Sequence, residues 1–145
     1  MLAPVRREIL AGAGAAAAWA VAEPVIARVF RVGSYSDRRL VGRAVTRSRL
    51  WPVVGIAGHL GNGAVFGLLF ARAGAHGVVR GVLAAQAENA LLWPGMAMVD
   101  RFHPDRRSGE WPPLLANSRV FAYEAACHAV FGVALGFFYP EPRSE

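Results

Sequence analysis

The sequence predicts an all-α integral membrane protein, a four-helix bundle made of two pseudo-repeated helical hairpins. Three observations predict this fold class. The 145 residues are 54% apolar and 18% charged, with a mean hydropathy of +0.32, which is high for a soluble domain. Four apolar runs reach or approach the roughly 20 residues that a helix needs to cross a bilayer. The 16 basic residues are all arginine, and most lie between or beside these runs, as topology-setting arginines do.

The apolar runs define four predicted spans, with aromatic side chains near their ends. The spans cover approximately residues 8–29, 52–71, 76–98 and 119–139. Trp51, Trp93, Trp111, Tyr123 and Tyr139 fall near the boundaries, where amphipathic rings favour the headgroup layer. A chain of this length has room for a single transmembrane domain, residues 1–145.

The first run has a second interpretation as a cleaved signal peptide. Arg6 and Arg7 form a basic start, and Ala20–Ala22 resembles a cleavage site. Cleavage would leave the arginine-rich stretch up to Trp51 outside the membrane. This placement conflicts with the tendency of positive charge to stay in the cytoplasm.

The arginines also predict an orientation. Eleven lie at the first and third connections, whereas five lie on the other face. The eleven are Arg28, Arg31, Arg38, Arg39, Arg43, Arg47, Arg49, Arg101, Arg106, Arg107 and Arg119. We therefore expect a multi-pass membrane protein with a basic cytoplasmic connection at about residues 30–51 and with both termini outside.

Within this connection, apolar residues recur at helical spacing between arginines. Leu40, Val41, Ala44 and Val45 follow Ser36 in this pattern. The segment is either a short interfacial helix on anionic lipid or a solvated basic loop.

The second and fourth spans contain an internal repeat. Segments 59–70 and 128–139 align without a gap, and both read H-x3-G-x3-G followed by two apolar residues and an aromatic residue. This spacing places the histidine and the glycines Gly63 and Gly67, or Gly132 and Gly136, on one helix stripe suited to close packing. The first and third spans each carry a glutamate, which favours two repeated hairpins. Because each hairpin crosses the membrane twice, the two copies would have the same orientation. Chance in a sequence rich in alanine and glycine is the alternative.

Five ionisable side chains lie inside the predicted spans, where an ionised acid is costly. They are Glu23, His59, Glu88, Glu124 and His128. The rise of a helix places them close to one layer of the bundle, so that each span contributes at least one of them. Glu124 and His128 are four residues apart and project from one face, within reach of a hydrogen bond.

Three interpretations of this buried polar cluster remain open from the sequence. In the first, neutral acids and imidazoles hydrogen-bond to one another and hold the bundle together. In the second, coupled histidine and glutamate groups respond to or conduct protons or ions.

In the third interpretation the cluster binds a metal ion or haem b. Its five residues match the inventory of a carboxylate-bridged dimetal bundle, although that motif spaces Glu and His by three residues and Glu124 and His128 are four apart. Alternatively, His59 and His128 are the two axial ligands of a haem. The sequence favours no cofactor over a metal ion or haem b.

Other motifs are set aside. His103–Pro104–Asp105 resembles a chaperone J-domain tripeptide but lies between two spans, so we interpret it as a capped loop turn. Gly61–Gly63 lacks the lysine and flanking strand of a phosphate-binding loop. A sequence pI near 11.0 would ordinarily suggest a nucleic-acid partner. Here the arginines lie between apolar runs, as in membrane proteins, so no nucleic-acid partner is expected.

The pattern resembles the small bacterial inner-membrane proteins of the YagU type, a family of unknown function. The resemblance is carried by Glu23–Pro24, His59, Gly81–Ala84 and the Glu124-x-x-x-His128 motif, and covers all four spans. The third span differs, with Glu88 where that family favours histidine. The resemblance implies a fold and no particular reaction.

These observations predict a small membrane protein with a buried Glu/His cluster. We expect the protein to respond to protons or ions or to conduct them. The alternatives are a metal- or haem-binding protein and a packing or partner module without chemistry. No catalytic residues are assigned. The expected partners are the lipid bilayer and, through the glycine stripes, a second copy or another membrane protein.

Overall fold

A computed structural model describes residues 2–141, with side chains from residue 5 onward. The described chain is helical and contains no strand, so the predicted all-α class is confirmed. The helices are α1 (Leu2–Phe30), α2 (Asp37–Val45), α3 (Trp51–Arg72), α4 (Gly77–Leu92), α5 (Met96–Phe102), α6 (Pro104–Arg107) and α7 (Ser118–Phe138), with a 3₁₀ turn (Trp93–Gly95) between α4 and α5.

Three helices are long and apolar enough to cross a membrane, namely residues Val5–Phe30 of α1, all of α3 and all of α7. Their outward faces carry large apolar side chains. Val21 is 81% exposed and Phe137 is 73% exposed. Apolar surface on this scale is unusual for a soluble monomer, and it indicates a membrane protein.

The third predicted span differs from the observed helices. The sequence predicts one span over about 76–98, but α4 ends at Leu92, and the chain passes through the turn Trp93–Gly95 into α5. Pro94 explains the interruption, because it has no N–H to donate along the helix and its ring clashes with the preceding turn. With 16 residues, α4 is about 24 Å long and is not among the helices of spanning length.

The long helices stand in the order α3, α1, α7, α4. Helix α1 packs against α3 on one side and α7 on the other, and α7 packs along α4. Helices α3 and α4 follow each other in the chain, yet they form no extensive contact within residues 2–141. A cleft therefore separates α3 from α4.

Glycines bring the backbones of α1 and α3 together. A β-carbon built on Gly63 would lie 2.6 Å from Ala16 Cβ and 2.7 Å from the Gly12 carbonyl oxygen. One built on Gly67 would lie 2.8 Å from Gly12 Cα. Real β-carbons do not approach this closely, so this helix contact depends on glycine.

The contact between α4 and α7 is built in the same way. A β-carbon on Gly132 would lie 2.5 Å from Val82 Cα and 2.6 Å from the Gly81 carbonyl oxygen, and Gly136 packs directly on Gly77. Both helix contacts thus use glycines of the two H-x3-G-x3-G segments.

The first connection folds back into the helix bundle. Helix α2 runs antiparallel to α3, since Gly42 lies against Trp51 while Asp37 reaches His59, about two turns further along α3. The Ser36 side chain caps the N-terminus of α2, as expected for serine. The segment is therefore a helix, and it packs against α3 instead of forming a solvated loop.

The third connection packs beside α2. Trp111 is 2% exposed and Asp105 is 1% exposed. Arg39 of α2 donates to Asp105 at 2.7 Å, and His103 Nδ1 accepts the Asp105 N–H, so the His103–Asp105 segment is a capped turn. Asp100 accepts the backbone N–H groups of residues 114 and 115. Connections one and three therefore meet at one end of the bundle.

Candidate functional site

The cleft between α3 and α4 contains a cavity of about 300 Å³. Helices α1 and α7 form its inner wall, and the first turn of α2 contributes Asp37 and Leu40. Its polar lining residues are Asp37, His59, Asn62, Glu88, Asn89, Glu124 and His128. Trp19, Leu92, Trp93, Met96 and Phe131 supply apolar walls, so the cavity combines titratable groups with an apolar surface.

Four of the five predicted cluster residues line this cavity, namely His59, Glu88, Glu124 and His128. Glu23 does not. It lies in the adjoining core, where its side chain is 2% exposed. The predicted layer therefore consists of a cavity site and a separate buried ion pair.

Glu23 is fully engaged by its neighbours. Its Oε2 accepts from Arg38 Nε at 2.7 Å, and its Oε1 accepts from the Asp37 N–H at 3.0 Å and from the Tyr123 hydroxyl at 2.9 Å. The Asp37 N–H belongs to the first turn of α2, where the helix dipole favours an anion. These contacts compensate the carboxylate charge and fasten α2 to α1 and α7.

His59 forms a proton-sharing pair with Asp37. His59 Nε2 lies 3.0 Å from the Ala16 carbonyl oxygen, which only accepts, so Nε2 carries a hydrogen. His59 Nδ1 lies 2.6 Å from Asp37 Oδ2. One further proton must therefore lie between these two atoms, either as an imidazolium–carboxylate pair or as a neutral pair.

Glu124 and His128 contact each other differently from the sequence expectation. His128 Nδ1 donates to the Glu124 backbone carbonyl at 2.7 Å, whereas its distance to the Glu124 carboxylate is 3.8 Å. The carboxylate instead accepts from the Tyr35 hydroxyl at 2.6 Å. Burial and the neighbouring Glu124 carboxylate raise the pKa of Tyr35 well above its ordinary value, so this phenol remains a donor.

The free nitrogen of His128 faces Glu88. With Nδ1 donating to a carbonyl, Nε2 of neutral His128 has a lone pair, and it lies 4.0 Å from Glu88 Oε2. This nitrogen has no hydrogen-bond partner in the described part of the chain. The separation is too long for a direct hydrogen bond, but a bridging water would fit between the two atoms and could relay a proton.

Trp19 links the two histidines. Its indole ring lies 5.0 Å from the His59 ring and 4.6 Å from the His128 ring, measured between centroids. Its Nε1–H is buried without an acceptor among residues 2–141. Such an unpaired donor is uncommon in protein interiors, and here it belongs to a residue that lines the cavity.

The two histidines expected as metal or haem ligands have other contacts in this arrangement. No group of three His, Cys, Asp or Glu side chains with metal-binding geometry exists in the described range 2–141. His59 engages both ring nitrogens, and Trp19 packs against both imidazoles.

Several residues that complete the site were not predicted from the sequence. Tyr35, Asp37 and Arg38 lie in the segment predicted as a basic connection. Trp19 lies within the first predicted span, and Tyr123 lies near a predicted boundary. One available signal was Ser36–Asp37, which combines a helix cap with an acidic first turn. No sequence signal indicated that this turn would reach His59.

A second polar cluster lies where the two connections meet. Asp105 accepts from Arg39 Nε at 2.7 Å and from Arg43 Nε at 3.3 Å. His103 stacks on Trp111 with ring centroids 4.5 Å apart. Burial lowers the pKa of His103, and the charges of Arg43 and Arg39 lower it further.

Comparison of the chain with models of known protein families, curated sequences and solved structures gives no significant match. The function therefore has to be argued from the site itself.

Proposed function

We propose that this chain is a multi-pass inner-membrane protein in which the cavity between α3 and α4 exchanges protons near neutral pH. One observation carries the proposal. The free Nε2 of His128 lies 4.0 Å from the Glu88 carboxylate, in a cavity that also includes Glu124 and the proton-sharing pair of His59 and Asp37.

The membrane placement is supported by the outward faces of the helices. Helix α4 exposes Val79, Leu83 and Leu91 by 73%, 65% and 79%, so it presents the same kind of surface as the three helices of spanning length. We propose that α4, the turn after it and α5 together form a fourth crossing. The end of the bundle where connections one and three meet carries eleven arginines, which favours a cytoplasmic location and both termini outside.

The chemistry follows from the number of acceptors around the cavity. The pair of His59 and Asp37 holds one proton between its two facing atoms. Glu88, Glu124 and the His128 Nε2 lone pair provide further sites, and a proton on one of them changes the charge of a confined, weakly hydrated space. Histidine and carboxyl groups placed in this way are typical of intramembrane proton sites.

The resemblance to YagU-type proteins rests on the positions of Glu23, His59 and the Glu124-x-x-x-His128 motif. It supports a common fold and adds no chemistry.

Infrared spectroscopy of the purified protein tests the proton site. We expect the band of protonated carboxyl groups to change in amplitude between pH 5 and pH 8. The Glu88→Gln variant should lose a large part of this change, because the glutamine side chain does not ionise. Glu110→Gln is the matched control, since Glu110 is 52% exposed and pairs with Arg39 outside the cavity.

A flat carboxyl band over this pH range in the wild-type protein would overturn the proposal and leave the cluster as a packing network. Proteoliposomes that contain a pH-sensitive dye then separate proton binding from conduction. If the protein conducts protons, a potential that is negative inside the liposomes should drive protons inward and acidify the lumen. Glu88→Gln should abolish this proton flux.

A further inference from the structure

A second cavity, of about 470 Å³, lies between α2 and α5. Its apolar walls are Leu40, Ala44 and Val45 of α2, together with Met98, Val99 and Phe102 of α5. Val45, Met98 and Phe102 are 70%, 61% and 56% exposed. The groove therefore presents apolar side chains at the end of the bundle where the connections meet.

One end of this groove is strongly basic. Arg43 and Arg47 line it, and they also line a neighbouring depression together with Arg107. The two cavities also share Pro104. An apolar channel and a cationic rim thus form one continuous surface, which we call the basic groove.

The charges of the basic groove are incompletely balanced. Arg39 and Arg106 nearby each pair with acidic side chains. Arg47 and Arg107 are exposed and have no acidic side chain within 4.0 Å among the described residues. Arg43 shares Asp105 with Arg39. No aspartate or glutamate lines either part of the groove within residues 2–141.

We infer that the basic groove binds an anionic phospholipid, with its phosphodiester between Arg47 and Arg107 and an acyl chain along Val45, Met98 and Phe102. Arginine recognises phosphate through its planar fork of donors. A soluble anion would use the rim and leave the apolar channel empty, whereas a lipid uses both. A zwitterionic lipid would find no carboxylate in the groove walls to receive its ammonium group.

The location agrees with this assignment. Arg47 lies four residues before Trp51, at the start of α3, where interfacial tryptophan and arginine mark the headgroup layer. The inference rests on the membrane location in the proposed function but not on proton exchange. Failure of one therefore leaves the other testable.

Binding to delipidated protein in detergent tests the inference. Native mass spectrometry compares phosphatidylglycerol with phosphatidylcholine at equal concentrations, and a thermal-shift titration adds inorganic phosphate as a third probe. We expect a preference for phosphatidylglycerol, which Arg47→Gln/Arg107→Gln should reduce by about fivefold for each arginine. Arg49→Gln/Arg119→Gln is the matched control, because it removes the same charge from two exposed arginines outside the groove.

The apolar part of the groove is tested by Met98→Gln, which should weaken phosphatidylglycerol binding and leave any effect of inorganic phosphate unchanged. Equal losses in the two double variants would overturn the inference in favour of non-specific attraction to charge. Inorganic phosphate acting as strongly as phosphatidylglycerol would also overturn it, in favour of a small-anion site. Carboxyl infrared spectra of the same variants report separately on the proton site.

Discussion

Glu23 of α1 and Glu88 of α4 have different surroundings. Glu23 is 2% exposed and accepts hydrogen bonds from Arg38, Tyr123 and the α2 backbone. Glu88 is 20% exposed, lines the cavity and faces the free nitrogen of His128 at 4.0 Å. The charge of Glu23 is compensated by these donors, whereas Glu88 lies beside a cavity and a nitrogen without a hydrogen-bond partner among the described residues. These contacts give Glu23 a structural role, and the proposed proton exchange involves Glu88.

The neutral imidazole of His103 forms hydrogen bonds that join the third connection to α2 in the first connection. Its Nδ1 accepts the Asp105 N–H, so in the neutral ring the proton is on Nε2, which donates to the Leu40 carbonyl at 3.1 Å. Protonation of Nδ1 would break the first of these bonds and place a cation near Arg39 and Arg43. Burial is the main cause that lowers the pKa of His103, and the charges of Arg43 and Arg39 lower it further.

The lowered pKa of His103 predicts that acid weakens the contact between the connections. The unfolded chain binds a proton at about pH 6.5, and the folded chain binds it only at lower pH. The stabilisation is therefore complete above this unfolded value and declines as the pH falls toward the folded value. His103→Asn keeps a side-chain acceptor and cannot ionise, so its melting temperature should fall less steeply than that of the wild-type protein between pH 7 and pH 5.

Thermal unfolding in detergent at several pH values measures this difference, and the other histidines and carboxylates cancel because both proteins contain them. Parallel curves for the two proteins would show that His103 does not contribute to the pH dependence.

At the level of elements, α2 organises the site. Its first turn supplies Asp37 to His59 and an N–H to Glu23, its middle packs on α3 through Gly42, and Arg39 fastens it to Asp105. A short isolated helix of nine residues is marginal in water, so these tertiary contacts stabilise it. The cavity would lose one wall without α2.

The glycine contact between α1 and α3 predicts a position-specific steric effect. Gly63→Ala places a methyl group 2.6 Å from Ala16 Cβ, and we expect a loss of about 1–3 kcal/mol of stability from the forced separation of the helices. Gly61→Ala is the control on the same helix, because a β-carbon there meets nothing within 4 Å. Alanine at that position should be neutral or stabilise the helix by up to about 1 kcal/mol.

Thermal or denaturant unfolding of both variants in the same detergent gives the comparison. If Gly63→Ala is as stable as Gly61→Ala, then the helices do not meet as closely as the structure indicates.

At the level of the whole molecule, the order α3, α1, α7, α4 determines where the cavity lies. Helices α1 and α7 are sandwiched between neighbours, whereas α3 and α4 are the outer pair. The faces that α3 and α4 turn toward each other carry His59, Asn62 and Glu88. A polar cavity at this position is bounded by helices with lipid-type outer surfaces.

The proposed topology predicts the accessibility of single cysteines. In a Cys127→Ala background, Arg49→Cys and Arg107→Cys should react with a membrane-impermeant maleimide only after the membrane is permeabilised. Arg72→Cys should react in intact spheroplasts, because α3 crosses between positions 49 and 72.

The same labelling experiment tests how many helices cross the membrane. If α4 with α5 does not cross, positions 72 and 107 will react from the same side, and the fourth crossing will be rejected while the three helices of spanning length remain.

Much of the fold follows from the sequence alone because membrane helices satisfy their own backbone hydrogen bonds. Apolar runs of sufficient length therefore predict α1, α3 and α7 closely. The five ionisable residues inside apolar runs were also recognisable, since such groups are costly there. The interruption at Pro94 was harder to place, because proline is tolerated near the ends of membrane helices.

The sequence by itself determined the helical class, the apolar outer surfaces and the presence of buried Glu and His side chains, since these depend on local composition and period. Only the tertiary structure decided which of them meet. The return of α2 along α3 brought Asp37 to His59 and Arg38 to Glu23, and the separation of α3 from α4 opened the cavity. Both depend on contacts between residues distant in the chain, whose free energy arises from packing and charge compensation, and no local sequence pattern encodes them.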